Sequence, residues 1–346
     1  MQHWKHFLET HNLPDLDHIA YLSHLGCLKI SGPDAKKLLQ GQLTCNLDDI
    51  THTQSRIGAH CNPKGRMISL FRIFHSDHDY YLQMPRENIT IALNALKKYA
   101  VFYKLELADV TDSLKILGYL GNHIKQYIQD ILLNIPTNND NAIQHDHLLK
   151  TLIKHDTFFQ HDNLLSTPMH HDSSQQDNLL NIPMNHNDIP QQDNTIALDH
   201  LLIIKIPGNI PRYEIITMTD DTNNEITNKL NQSKLSSANS ISPDIWESAN
   251  IEAGLANIYP ETSEKFLPHE LNLHLLNGIS FNKGCYTGQE IIARMHYRGN
   301  LKNKLIQTTI HSSIPPLRGE DLPGTKNIVV DYCKSRYNTY QLLILG

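Results

Sequence analysis

Apolar residues in the first third of the chain follow a mixture of strand and helix periods. Short apolar runs at residues 27–30, 56–61, 67–74, 80–84 and 101–107 predict five strands. Helical spacing predicts two helices, one carrying Leu38, Leu39 and Leu43 and one carrying Ile89, Leu93 and Leu96. The resulting order, β-α-β-β-α-β with one extra strand, is the ferredoxin-like pattern. We therefore expect an N-terminal α+β subdomain over residues 1–112.

A second α+β subdomain is predicted from residues 113–135 together with 195–250. Apolar runs at 114–120, 201–206 and 213–218 predict strands, and helices are expected up to residue 133 and over 225–235. The two halves flank a segment of different composition, so we expect them to form one unit across it.

Residues 136–194 are rich in Asn, Asp, His and Gln and contain a weak repeat. The stretch that begins at Asp162 recurs at Asp177, which is too few copies for a solenoid. Such composition predicts a low-complexity insertion in a surface loop. Its histidines suit a solvated polar tract better than a specific metal site, and we predict no metal site.

The C-terminal part begins with a strong helix start at Ser242 and Pro243, a serine cap followed by proline in the first turn. Trp246 follows, either as a core anchor or as a platform for a flat ligand. Residues 251–300 are predicted to return to the core. Runs at 304–310, 328–332 and 340–345 predict a small β subdomain over residues 301–346.

Composition narrows the class of protein. The net charge of −6 over 346 residues, with 19% charged residues, argues against a broad nucleic-acid surface, so stable nucleic-acid binding is not expected. Five cysteines without a CxxC pair fit a reducing compartment. No apolar run approaches the ~20 residues that span a bilayer. We expect a cytoplasmic protein without a membrane partner.

The stretch with the clearest chemistry is Lys-Gly-Cys-Tyr-Thr-Gly-Gln-Glu at residues 283–290. Thr287 and Glu290 have the spacing of a helix capping box. Cys285 precedes that helix start, where the helix dipole and Lys283 would favour a thiolate. The alternative is a cysteine that serves as a small buried apolar residue.

Residues 278–290, with Ala293-Arg294 and 297–299, resemble the signature of the YgfZ family, which is related to the glycine-cleavage T-protein. Segments at 40–44, 59–67, 96–102 and 251–254 resemble family segments in the same order. The resemblance runs from about residue 20 to about residue 310 and excludes the insertion. It implies an α+β fold of three subdomains in a ring, with ferredoxin-like units, a C-terminal β-barrel-like unit and a central opening of folate size.

The resemblance also implies a function: tetrahydrofolate binding in support of iron–sulfur enzymes, their assembly factors and tRNA thiolation. Cys285 and Lys283 are then the candidate reactive residues. The candidate folate-binding residues are Trp246, Leu25, Lys283, Tyr286 and Arg294. Trp246 matches the second family tryptophan associated with folate, whereas the first falls near Leu25.

Two other functions stay open. One is a tetrahydrofolate-dependent aminomethyl or one-carbon transferase, which needs a carboxylate beside the folate ring. Asp34, Asp48 and Asp49 are candidates for it only by residue type. The other is a non-catalytic interaction scaffold in which Cys285 is structural. The residues alone therefore do not decide whether the chain is an enzyme.

Overall fold

The computed structural model describes residues 2–76, 78–133, 195–198, 201–218, 238–299 and 301–346. The insertion predicted at 136–194 and the helix predicted at 225–235 lie outside the described residues. The chain begins with helix α1 (Gln2–His11) and strand β1 (Asp17–Tyr21).

The first sheet has five antiparallel strands in the order β3-β4-β5-β2-β6. In chain order its elements are β2 (Leu25–Ser31), α2 (Ala35–Gln42), β3 (Arg56–Cys61), β4 (Met67–Ser76), β5 (Asp79–Pro85), α3 (Ile89–Ala100) and β6 (Glu106–Asp109). Apolar side chains of α2 and α3 pack on one face of this sheet. The predicted order of strands and helices is confirmed.

The second sheet has six strands in the order β11-β1-β7-β10-β9-β8. Its remaining elements are β7 (Leu114–Leu120), α4 (Ile124–Leu133), β8 (Thr195–Leu198), β9 (Leu201–Lys205), β10 (Arg212–Met218) and β11 (Ala238–Ile241). Strand β1 pairs with β7 and β11, so it lies in this sheet and not in the first unit to which residues 1–112 were assigned. Four of its five residues are buried there, the apolar Ile19 and Ala20 and the polar Asp17 and His18.

The remaining elements are two helices and a small sheet. Helix α5 (Pro243–Glu252) begins as predicted, because the Ser242 side chain accepts from the backbone N–H of Asp244. Helix α6 (Gln289–Arg298) follows the signature stretch. The C-terminal unit is an antiparallel sheet, β12-β14-β13, of β12 (Leu305–His311), β13 (Ile328–Arg336) and β14 (Thr339–Leu345).

The expected C-terminal barrel is corrected to an open three-stranded sheet. Strand β14 pairs with β12 on one side and β13 on the other, and β12 and β13 are not paired with each other. Closing a sheet into a barrel requires more strands with the tilt and stagger that bring the edges together. No helix in the described ranges is long and apolar enough to cross a membrane.

The two larger sheets face each other across a shared apolar core. Leu25, Phe74 and Tyr81 of the first sheet contact a cluster that includes Ile204 and Ile216 of the second. Helix α5 closes one side of this core with Trp246 and Ala249. Charged side chains also lie between the sheets, and they define the candidate site.

Candidate functional site

The signature loop is anchored on the chain that follows helix α2. The Thr44 hydroxyl donates to the carbonyl oxygen of Gly278 (2.6 Å), and the N–H of Ser280 donates to the carbonyl of Thr44 (2.8 Å). Farther along, the N–H of Thr287 donates to the carbonyl of Gly41 (3.2 Å). These long-range bonds fix the loop against the first subdomain.

The predicted capping box is wrong. Helix α6 begins at Gln289 with Gly288 as its N-cap, and no side chain in the described ranges caps it. The Thr287 hydroxyl instead donates to Oε1 of Gln42 (3.0 Å), because the loop packs against α2. Gly288 has φ 83°, and a Cβ there would lie 2.7 Å from the Asn62 carbonyl oxygen, so glycine is required on both grounds.

Lys283 is half-buried and its ammonium group is already used. Nζ donates to the carbonyl oxygens of Leu43 (2.8 Å) and Cys45 (2.7 Å) and lies 5.1 Å from the centre of the Tyr286 ring. Burial lowers the pKa of Lys283 to about 8, because the charged form loses hydration. The amine is therefore partly neutral at slightly alkaline pH.

Cys285 is exposed, whereas the other four cysteines are buried. Burial raises the pKa of the Cys45 thiol to about 11, and it also raises those of Cys27, Cys61 and Cys333. Thiolates at those four positions are disfavoured. Solvent access thus singles out Cys285 as the thiol that a reagent or partner can reach.

The other two candidates in this region differ in exposure. Tyr286 packs in the core beneath the loop, and its hydroxyl has no hydrogen-bond partner within the described part of the chain. Burial raises the pKa of that hydroxyl. Arg294 is exposed on α6.

A central cavity lies between the two large sheets and the segment that follows α5. Its apolar lining includes Leu25, Phe71, Met84 and Leu255. Of the candidate folate residues only Leu25 is in this lining; Lys283, Tyr286, Arg294, Trp246 and also Cys285 are not. The structure thus brings Leu25 to the cavity and leaves the signature loop outside its wall.

Five charged or polar residues line this cavity, and three of them lie on the two large sheets. Arg72 and Gln83 are direct cross-strand neighbours on β4 and β5, and Glu214 reaches the cavity from β10 of the opposite sheet. Nε of Arg72 lies 3.5 Å from Oε2 of Glu214, an ion pair that joins the two sheets. Burial lowers the pKa of Arg72, and the Glu214 carboxylate opposes that shift.

Two buried acceptors at the wall of this cavity lack a hydrogen bond. Oε1 of Gln83 has no partner among the described residues, and Oε2 of Glu214 has only its 3.5 Å ion pair with Arg72. Leaving a buried acceptor unpaired costs about 1–3 kcal/mol. Such a cost, at the wall of a cavity, marks a place where a ligand with N–H donors would be favourable.

Trp246 lies behind the cavity and is 0% exposed. Its ring packs against Gly118 of β7, and the guanidinium carbon of Arg212 is 5.6 Å from the ring centre. Arg212 in turn donates to Oδ1 of Asn250, a cavity-lining residue, at 2.8 Å. Trp246 therefore supports the cavity wall in this conformation, and its ring faces only protein.

The candidate carboxylates Asp34, Asp48 and Asp49 lie away from the cavity. Asp34 accepts from the backbone N–H of Lys104 (2.8 Å), and Asp48 forms an ion pair with Lys36 (2.6 Å). The carboxylate that does reach the cavity, Glu214, was missed from sequence. A signal existed, because Arg72, Gln83 and Glu214 each stand between two apolar or aromatic residues of a strand.

Comparison with known structures defines the class of fold. Aminomethyltransferase T of the glycine cleavage system from Bartonella henselae superimposes with a TM-score of 0.62 at 13% identity, covering 98% of this chain and 81% of that chain. The chain is thus an α+β protein with the fold of that aminomethyltransferase. At this identity the likeness concerns the fold alone.

Comparison with curated proteins gives the family. The tRNA-modifying protein YgfZ of Klebsiella pneumoniae is 32% identical over 294 residues, which are 85% of this chain and 72% of the relative. YgfZ of Colwellia psychrerythraea is 29% identical over 304 residues, 87% of this chain and 74% of the relative. This chain belongs to the YgfZ family. A scan of protein-family models found no match.

Proposed function

We propose that this chain binds tetrahydrofolate, with the pteridine ring in the central cavity, and that it serves tRNA modification in the cytoplasm. Membership of a family whose members are named tRNA-modifying proteins supports the second half of the proposal. The cavity between the two sheets supports the first half.

The observation that supports folate binding is a pair of buried acceptors without a hydrogen bond, Oε1 of Gln83 and Oε2 of Glu214, the second of which has only its ion pair with Arg72. The amino-pyrimidinone edge of a pteridine presents N–H donors side by side, and these would pair with both acceptors. Apolar side chains, among them Leu25 and Phe71, would contact the two ring faces. The residues present therefore fit the pteridine group.

The size of the cavity agrees with a ring rather than with a whole folate. The cavity has a volume of about 70 Å³. At about 10–15 Å³ for each water this is space for roughly five to seven waters, comparable to a bicyclic heteroaromatic ring. The glutamate tail would then extend outside the cavity, where the exposed Arg294 remains our candidate to pair with its carboxylates.

The signature loop supplies the reactive group in this proposal. The exposed Cys285 is the nucleophile or thiol ligand, and Lys283, bonded to two carbonyls, holds the loop in position. Tyr286 packs beneath them. Trp246 would reach the ligand only if its ring left the core, so we assign it to the support of Arg212 and the cavity wall.

We further propose that the partners are iron–sulfur enzymes that thiolate tRNA, or their assembly factors. Within this proposal the chain holds the folate and presents Cys285 to the partner. The exposed position of that thiol supports a role in contact with another protein.

Calorimetric titration of the intact chain with tetrahydrofolate tests the folate proposal. Gln83→Met removes one unsatisfied acceptor at similar volume, and we expect it to weaken binding about 5- to 10-fold, equivalent to about 1 kcal/mol. Gln307→Met on β12, outside the cavity lining, is the matched control. Absence of saturable binding, or equal affinity of the Gln83→Met variant, would refute the proposal.

A further inference from the structure

A second cleft lies beside the signature loop and is separate from the central cavity. Its volume is about 550 Å³, and residues 46–56 form one wall. Residues 277–282 and Tyr297 of helix α6 form the other wall. Among the residues that the structure describes, none lines both this cleft and the central cavity.

One wall of this cleft is a stack of aromatic rings. The Phe281 ring stacks on His296 with centroids 4.0 Å apart and an interplanar angle of 23°. Tyr297 meets both rings edge-on, with centroids 5.8 Å from Phe281 and 4.9 Å from His296. Tyr297 is 69% exposed, so packing in the core does not account for its position. An exposed aromatic ring next to a cleft is a stacking surface for a flat ligand.

A buried histidine lies beneath the aromatic wall. His269 is buried, with ring centroids 5.0 Å from His274 and 5.8 Å from His296. Burial and the two neighbouring histidines lower the pKa of His269 to about 4, so its ring is neutral near pH 7. The stack therefore rests on an uncharged ring and is held in place from below.

The opposite wall is polar and carries both signs of charge. Arg56 donates to the Ser55 carbonyl oxygen only at 3.4 Å, the long end of the hydrogen-bond range, which leaves guanidinium donors for an anion. The Asp49 carboxylate accepts from Nδ2 of Asn46 at 3.3 Å. Amide groups of the exposed Asn277 and Asn282 add donors and acceptors at the rim.

We propose that this cleft binds a single ribonucleotide, either free or within single-stranded RNA. The base stacks beside Tyr297, and the asparagine amides pair with its edge. Arg56 binds the phosphate, and Asp49 accepts from a ribose hydroxyl. The assignment does not depend on folate binding, because it uses none of the residues of the central cavity.

A one-nucleotide site is compatible with the overall charge of the chain. Non-specific binding of nucleic acid rests on many phosphate contacts by Lys and Arg, which a net charge of −6 opposes. Stacking, by contrast, acts on one base at a time and is largely independent of net charge. We therefore expect modest affinity that salt weakens only slightly.

The experiment is a titration of the intact chain, followed by NMR, with adenosine monophosphate in one arm and a short single-stranded RNA in the other. We expect saturable binding in at least one arm, and Tyr297→Ala should weaken it at least 10-fold. Arg56→Gln should weaken binding of the monophosphate more than binding of the unphosphorylated nucleoside. Tighter binding of the monophosphate than of the oligonucleotide assigns a free nucleotide as the ligand, and tighter binding of the oligonucleotide assigns RNA.

Two control variants separate this cleft from other sites. Tyr337→Ala removes a tyrosine that is 86% exposed in the β13–β14 turn, and Gln83→Met alters the folate cavity; neither should change nucleotide affinity. No saturation by either ligand at millimolar concentration would overturn the proposal. Binding that Tyr297→Ala leaves unchanged would overturn it as well.

Discussion

Gly118 lies directly against the indole of Trp246: a Cβ at position 118 would be 2.4 Å from Cε3 of the tryptophan ring. Gly118 is also the direct cross-strand neighbour of Glu214, whose carboxylate reaches the central cavity. The missing side chain at Gly118 thus allows Trp246 to fill the core behind the cavity wall.

We predict that Gly118→Ala destabilises the protein by about 1–3 kcal/mol, because the added methyl forces the indole or strand β7 to move. Gly41→Ala is the matched control, since a Cβ at this helical position meets nothing within 4 Å. It should be neutral or slightly stabilising. Urea unfolding measures both. In a double-mutant cycle, Trp246→Leu should relieve most of the cost of Gly118→Ala, and additive costs would contradict the contact.

Acid should destabilise the fold between pH 6.5 and about 4. Burial lowers the pKa of His60 to about 4, with a smaller contribution from Lys98, and burial with neighbouring histidines lowers that of His269 to about 4. Since both folded-state values lie below the ordinary 6.5, the stability that these two neutral rings contribute is fully present above pH 6.5 and is lost as the pH falls toward 4. Each histidine accounts for a loss of about 3 kcal/mol.

Unfolding free energies measured across this pH range test that prediction. The slope of the unfolding free energy against pH reports the number of protons taken up on unfolding. His60→Leu should lower that number by about one, because it removes one buried ring that is neutral in the folded state. His52→Leu, at an exposed position, should leave the slope unchanged. An unchanged slope in the His60→Leu protein would contradict the assignment.

Native thiol labelling should modify Cys285 first. The other four cysteines are buried, so iodoacetamide should reach them only through unfolding, and Cys285→Ser should abolish rapid labelling. Peptide mass spectrometry identifies the labelled sites.

A complementation experiment with Cys285 separates the proposed role from that of a non-catalytic scaffold. We expect Cys285→Ala to fail to restore tRNA thiolation in a strain that lacks the protein. Full restoration would favour the scaffold.

Local signals in the sequence predicted most elements correctly. The apolar runs at 56–61 and 67–74 predicted strands β3 and β4, and Ser242 with Pro243 predicted the start of α5. The three C-terminal strands were also predicted. These signals act within a few residues, so the sequence carries them in readable form.

Long-range packing explains what the sequence did not predict. Thr287 has the spacing of a capping residue, but Gln42, 245 positions away, binds its hydroxyl. Arg72, Gln83 and Glu214 meet only because the β4–β5 register and the facing of two sheets bring them together. The burial of Trp246 depends likewise on Gly118, which is distant from it in the sequence.

The most direct test of the folate cavity is NMR of the intact chain labelled with ¹³C-methyl methionine, titrated with tetrahydrofolate. Met84 lines the cavity, whereas Met67 is buried in another cluster and Met295 lies on α6. Met84→Leu assigns the resonance. We predict that the Met84 methyl shifts saturably with ligand while the Met67 methyl does not move. A Met84 resonance unchanged at millimolar ligand, or a saturable shift at Met295 alone, would contradict folate binding between the two sheets.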